Sequence, residues 1–218
     1  MSAVRPHVNQ NILADWQRDN ERNVRYFSEC LIQHGISARA LDWSGEQSQF
    51  LRFRVLSEVA DLSGASMLDV GCGLGDLCGW LRANSCDVRY TGIDIAPAMI
   101  EAASRRFPDA RFEVRDLLSD PPQDSFDYVL SSGIFTHRSV EAKLFFETMM
   151  EHMFALAERG LAVNCLSTWA EKIEPAEFHA DPLETVAFCR KLTPWVVLRH
   201  DYHPGDFTVY LYKKAAQQ

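Results

Sequence analysis

From about residue 66 onward, short apolar runs alternate with longer amphipathic runs, and that alternation constrains the fold more than any other feature of the chain. "SMLDVG", "VRYTGID", "RFEVRDL", "FDYVLSSG" and "GLAVNCLS" read as five short strands. "DLCGWLRANS", "PAMIEAASRRF" and "SVEAKLFFETMMEHMFALAER" read as helices between them. Pro97 opens the second at a favoured first-turn position, and Gly160 is expected to close the third. Strand–helix–strand repeats make the strands parallel, with helices on both faces of one sheet. The end of the chain departs from this rule. After the helical "PLETVAFCRKL", the strands "PWVVLRHDY" and "DFTVYLYKK" flank the turn signal "HPG". Two strands joined by so short a link run antiparallel. The expected fold is α/β: a doubly wound, seven-stranded, mostly parallel sheet with a reversed last strand.

Residues 1–60 lack the alternation. "ILADWQRDNERNVRYFSECLIQHG" and "QSQFLRFRVLSEVADL" read as helices, either a cap over the sheet's ligand edge or plain helical decoration. The expected organisation is a helical N-terminal extension over 1–60 and the α/β domain over 61–218. At 218 residues, one domain with a full-size core is the natural solution. A net charge of −8 repels phosphate backbones, so no nucleic-acid partner is expected. No apolar run is long enough to cross a membrane, and the N-terminus lacks an apolar signal core, which leads to the expectation of a cytoplasmic protein. The six cysteines form no C-x-x-C pair and no compact cluster with histidine, so they read as reduced thiols and no metal site is expected. The sequence leaves the oligomeric state open.

The stretch "MLDVGCGLGDL" places Gly71, Gly73 and Gly75, with Cys72 among them, directly after the first strand. Side-chain-free positions let a ligand approach the backbone closely. The spacing is G-x-G-x-G, and Asp69 and Asp76 flank it, which disfavours a pyrophosphate at the helix start. Those acids suit a ligand that carries positive charge and a free amino group. Asp94 ends the second strand, where an acid can accept hydrogen bonds from ribose hydroxyls. Asp116 follows the third strand, placed to take the exocyclic amine of an adenine with the Leu117 backbone beside it.

"LDVGCGLGDL", "GIDIAPAMI", "VRDLL" and "FDYVLSSGIF" together resemble the motifs of class I S-adenosylmethionine-dependent methyltransferases, over roughly residues 45–215. The resemblance implies a Rossmann-like fold, S-adenosylmethionine as cofactor and S-adenosylhomocysteine as product. It implies that Asp69 and the glycine loop hold the methionine portion, Asp94 the ribose, and Asp116 with Leu117 the adenine. Ile95 and Met99 would supply apolar contact to the adenine, and Ser132 would lie under the cofactor. In related small-molecule methyltransferases an arginine on the helix before the first strand binds the cofactor's carboxylate; Arg52 has about the right separation from Asp69, with Arg54 the competitor.

The acceptor side is less defined. The N-P-P-Y type motif of adenine-N6 and glutamine-amide methyltransferases is absent. His137 follows the fourth strand and is either a general base or a residue lining the cofactor. "LRHDYHPGD" sets His200 and Asp201 as a possible base system, with Tyr202 and His203 as acceptor contacts or as parts of a solvated hairpin. "STWAEKIEPAEFHADP", which contains Trp169, reads as an acceptor lid or a plain loop. The leading expectation is methyl transfer to a small-molecule acceptor of sugar, natural-product or carboxylate type. A protein methyltransferase and a non-catalytic S-adenosylmethionine-binding protein are the alternatives.

Overall fold

The computed structural model describes residues 8–137 and 140–215. Helix α1 (Gln10–His34), a 3-10 turn (Ala38–Leu41) and α2 (Glu46–Ser57) precede the sheet. Then come β1 (Ser66–Val70), α3 (Asp76–Ala83), β2 (Arg89–Asp94), α4 (Pro97–Arg106), β3 (Arg111–Val114) and β4 (Phe126–Ser132). The chain continues with α5 (Ala142–Leu156), β5 (Ala157–Leu166), α6 (Pro182–Leu192), β6 (Val196–Arg199) and β7 (Asp206–Tyr212). One seven-stranded sheet results, in the order β3-β2-β1-β4-β5-β7-β6. Strands β1 to β5 pair in parallel, and β7 runs antiparallel to β5 and β6 on either side of it.

Alternate side chains of single strands feed opposite cores, as strand geometry requires. Met67, Tyr128, Leu130, Ala162 and Tyr210 pack with Phe53, Leu56, Leu77 and Leu81 of α2 and α3. Their neighbours Leu68, Val129, Leu161, Val163 and Val209 pack with Phe146, Met150, Met153 and Phe188 of α5 and α6. Both faces are covered, which is why these strands read as continuous apolar runs. Helix α2, placed within the N-terminal extension from sequence, contributes directly to one of these cores. Helix α1 packs across the third apolar cluster, where Val24, Phe27 and Leu31 meet Leu74, Ala96 and Met99.

Two boundaries differ from the sequence expectation. Gly160 does not end α5: the helix stops at Leu156 and the next residue already pairs in β5. Gly160 lies opposite Tyr128 and Tyr212, and a Cβ there would meet the Tyr128 ring and the Leu211 carbonyl, each at 3.3 Å. The glycine gives room to the neighbouring strand. The hairpin is also wider than "HPG" suggests, with β6 ending at Arg199 and β7 starting at Asp206. His200 and Tyr202 therefore lie in the turn, and strand alternation does not set their faces.

Candidate active site

Beyond Val70 the chain turns at once, with Gly71 N and Cys72 N donating to Ile93 O at 2.8 and 3.0 Å. Gly71 and Gly73 have φ of +76° and +51°, a region glycine enters without steric cost. A Cβ on Gly71 would stand 2.1 Å from Ile134 Cγ2, and one on Gly73 2.8 Å from Leu41 Cδ2. The segments above are built down onto a bare backbone. Gly75 faces away from the ligand edge, toward Phe107 and Phe112.

Asp94 anchors this loop. Its Oδ2 accepts from Gly73 N at 2.9 Å and its Oδ1 from Ala96 N at 2.8 Å. Each oxygen keeps a further lone pair. Burial pushes its pKa up, against the pull of those two N–H groups. Asp69 is deeper still. Burial raises it to about 7, although the Tyr90 hydroxyl donates to its Oδ2 at 2.5 Å and favours the charged form. Asp116 accepts from Leu118 N at 3.0 Å and from the Asn20 side chain at 2.9 Å.

A cleft of about 1140 Å³, its open mouth included, lies over these strand ends. Asp69, Gly71, Cys72, Gly73, Asp94, Ile95, Met99, Asp116, Leu117, Ser132 and His137 all line it. Its roof comes from the N-terminal segment. Asn20, Asn23 and Phe27 descend from one face of α1, and Leu41 and Trp43 from the 3-10 turn and its exit. These roof residues were not singled out as a set from sequence, although their spacing of three and four along α1 marks one helical face. Trp43 also covers Gly133, where a Cβ would meet its ring at 3.1 Å.

His137 is held from above. Its Nε2 lies 3.0 Å from Asp42 Oδ2, its ring packs against Tyr26 and Phe27 at centroid distances of 5.1 and 5.7 Å, and its carbonyl accepts from Asn23. Asp42 adopts the left-handed conformation at φ +60°, which aspartate tolerates better than most residues.

The remaining sequence candidates stand outside the cleft. Arg52 is buried behind it, ion-paired with Asp206, bonded to Ser48 and stacked 5.0 Å over the Trp43 ring. Gln49, one helical turn earlier, is the α2 side chain that reaches the lining together with Phe53. His200 and Asp201 face different partners. His200 Nε2 sits 2.9 Å from Ser167 Oγ, its ring between Trp169 and Phe207, whereas Asp201 pairs with Arg199. Tyr202 bonds Thr208 at 2.9 Å, and His203 Nδ1 lies 2.5 Å from Asp206. Trp169 is half exposed.

The residues fit a polar, amine-bearing nucleoside ligand. Three acids line successive strand ends, and Ser132 Oγ is buried in the cleft wall without a hydrogen-bond partner among the described residues. A buried hydroxyl left unpaired is costly, and a bound polar group relieves it.

The comparisons with known proteins decide the family. A family model described as "Methyltransferase domain" matches residues 67–179. The chain belongs to the class I S-adenosylmethionine-dependent methyltransferases. Rv1506c of Mycobacterium tuberculosis, named as a candidate methyltransferase, is 34% identical over 158 residues, covering 69% of this chain and 94% of its own length. The trans-aconitate 2-methyltransferase of Klebsiella pneumoniae is 34% identical over 119 residues, 54% of this chain and 45% of that enzyme. Among solved structures, the S-adenosylmethionine-bound magnesium protoporphyrin IX methyltransferase of Synechocystis aligns with a TM-score of 0.58 at 15% identity, covering 97% of this chain and 95% of that one. That likeness concerns the fold. This methyltransferase is an enzyme that uses S-adenosylmethionine as methyl donor. Among the described residues, no helix is long and apolar enough to cross a membrane, and no group of ligating side chains could hold a metal ion.

Proposed function

We propose that this methyltransferase acts on a small molecule. The roof over the cleft carries this reading. Leu41 overhangs Gly73, Trp43 covers Gly133, and Phe27 descends from α1 into the same cleft, so an acceptor has to fit between these residues and the strand ends. A polymer or a folded protein surface would need an open groove. The net charge of −8 further disfavours nucleic acid. The named relatives include enzymes acting on trans-aconitate and on ajmaline.

The bound cofactor supplies an electrophilic methyl group on a sulfonium. The chain's own residues bind and orient. In this reading Asp94 takes the ribose hydroxyls. Asp116 and Leu117 take the adenine, between Ile95 and Met99. Asp69 and the loop from Gly71 to Gly73 hold the methionine portion, and Ser132 supplies a polar contact. Roof and strand ends exclude water and bring the acceptor close to the methyl, which is most of what such a displacement requires.

Two measurements test the proposal. Calorimetric titration with S-adenosylmethionine, S-adenosylhomocysteine and NAD is expected to give binding of the first two alone. Incubation with methyl-tritiated S-adenosylmethionine and a fractionated cell extract is expected to label the low-mass fraction. Label confined to precipitated protein would make this a protein methyltransferase.

A further inference from the structure

We propose that Asp42 and His137 form a base dyad assembled across the cleft, and that the acceptor arrives with a proton on its nucleophilic atom, as a hydroxyl or an amine rather than a carboxylate. This rests on the small-molecule reading above and narrows it to a chemical class.

His137 follows β4 and lines the cleft, and Asp42 leaves the 3-10 turn of the roof. They are 95 positions apart in sequence and meet at 3.0 Å through Nε2. An aspartate accepting from one ring nitrogen fixes the tautomer: the hydrogen stays on Nε2, and Nδ1 is left as a bare lone pair. Nδ1 has no hydrogen-bond partner among the described residues, and the ring lines the cleft. Asp42 holds its carboxylate in place through a left-handed backbone, the kind of conformation that persists where the surroundings demand it. Tyr26 and Phe27 fix the ring plane from α1. Among the described residues, Tyr26 packs against the His137 ring, and Asp42 and Cys30 act on its hydroxyl. Burial and the Asp42 charge push the Tyr26 hydroxyl up to about 12, so it stays protonated and neutral beside the dyad.

A carboxylate acceptor is already deprotonated and needs no base. A hydroxyl or protonated amine does. In the proposed step the acceptor oxygen or nitrogen bonds to the methyl carbon. The methyl–sulfur bond breaks, its electron pair staying on sulfur as a thioether. The acceptor's proton passes to His137 Nδ1 and later to solvent. His137 is the catalytic residue and Asp42 a positioning residue.

The test reads chemistry and structure separately. Product labelled from methyl-tritiated S-adenosylmethionine in the low-mass fraction is treated with mild alkali. Methyl ethers and methylamines keep their label, which is the expected result; release of labelled methanol would reveal an ester and overturn the proposal. Label in precipitated protein alone, or in neither fraction, would count against the small-molecule reading and this one together. Independently of turnover, nitrogen-15 NMR of the imidazoles in the full chain is expected to show His137 with its hydrogen on Nε2, and a mixture of tautomers in Asp42→Asn. A hydrogen on Nδ1, or a spectrum indifferent to Asp42→Asn, would refute the dyad even if low-mass label were found. His137→Ala is expected to lower kcat by about 10²- to 10⁴-fold and to retain S-adenosylmethionine affinity.

Discussion

Asp69 shows how a single residue can set the pH response of the whole fold. Burial raises its pKa to about 7, so the folded chain keeps a proton that the unfolded chain gives up near the ordinary carboxylate value. Stability from this group is therefore undiminished below that ordinary value and falls as pH rises through about 7. Asp69→Asn removes the ionisation. Measured by urea denaturation of the ligand-free protein, the variant is expected to gain on the wild type between about pH 4 and pH 7 and to hold a level advantage above that. A constant difference would mean that Asp69 is ionised throughout. Asp94 has a second duty beside ligand binding, because it holds the Gly73 and Ala96 amides. Asp94→Ala is expected to weaken S-adenosylmethionine binding by about 1–3 kcal/mol, the scale of lost hydrogen bonds to a charged group. Calorimetry would read this as an increase in Kd of up to roughly a hundredfold.

Among the elements, α1 covers the cleft over the strand ends. Trp16 is its main anchor. It is buried, packs edge-on against Phe145 at 5.2 Å, and donates its indole N–H to the Val140 carbonyl at 3.3 Å. Trp16→Ala is expected to cost about 3–5 kcal/mol of α1 docking. Hydrogen exchange would then quicken in α1 while β1, β4 and β5 keep their protection, and cofactor affinity would fall because Asn20 and Phe27 leave the cleft. Equal loss of protection in helix and sheet would instead make α1 part of one cooperative unit. The strands were legible in the sequence because their signal is local: apolar runs bounded by turns. The roof was not. Asn20 to Asp116, Trp16 to Val140 and Asp42 to His137 join positions about a hundred residues apart, and no local period announces such a contact. The same limit explains Arg52. Its separation from Asp69 suggested a ligand for the cofactor, while its partner in the fold, Asp206, lies at the far end of the chain.

At the scale of the whole molecule, the Arg52–Asp206 pair ties α2 to the first residue of β7, with His203 on the same carboxylate oxygen. Both members of the pair are almost fully buried. Asp206→Ala leaves a buried guanidinium unpaired and is expected to cost about 3–5 kcal/mol, whereas the double variant Arg52→Met, Asp206→Leu recovers most of it. Denaturation midpoints of the three proteins check this; an Asp206→Ala midpoint equal to the wild type would show that water reaches the pair. The junction of α5 with β5 has a different kind of importance. Leu156 is the last helical residue and Ala157 the first of the strand, with nothing between them. Because side chains alternate along a strand, one residue inserted there would exchange Leu161 and Val163 for Ala162 across the sheet and put each in the other's core. The stretch from Ser167 to Asp181 is tied back at its ends, with Ala180 N donating to Leu166 O at 2.9 Å and Thr168 N to Ala180 O at 3.0 Å, but its exposed middle, 171–176, can absorb length without disturbing the register of β5. An insertion that enlarges the molecule on the far side of β5 can therefore leave both cores intact, whereas a single residue added on the near side cannot.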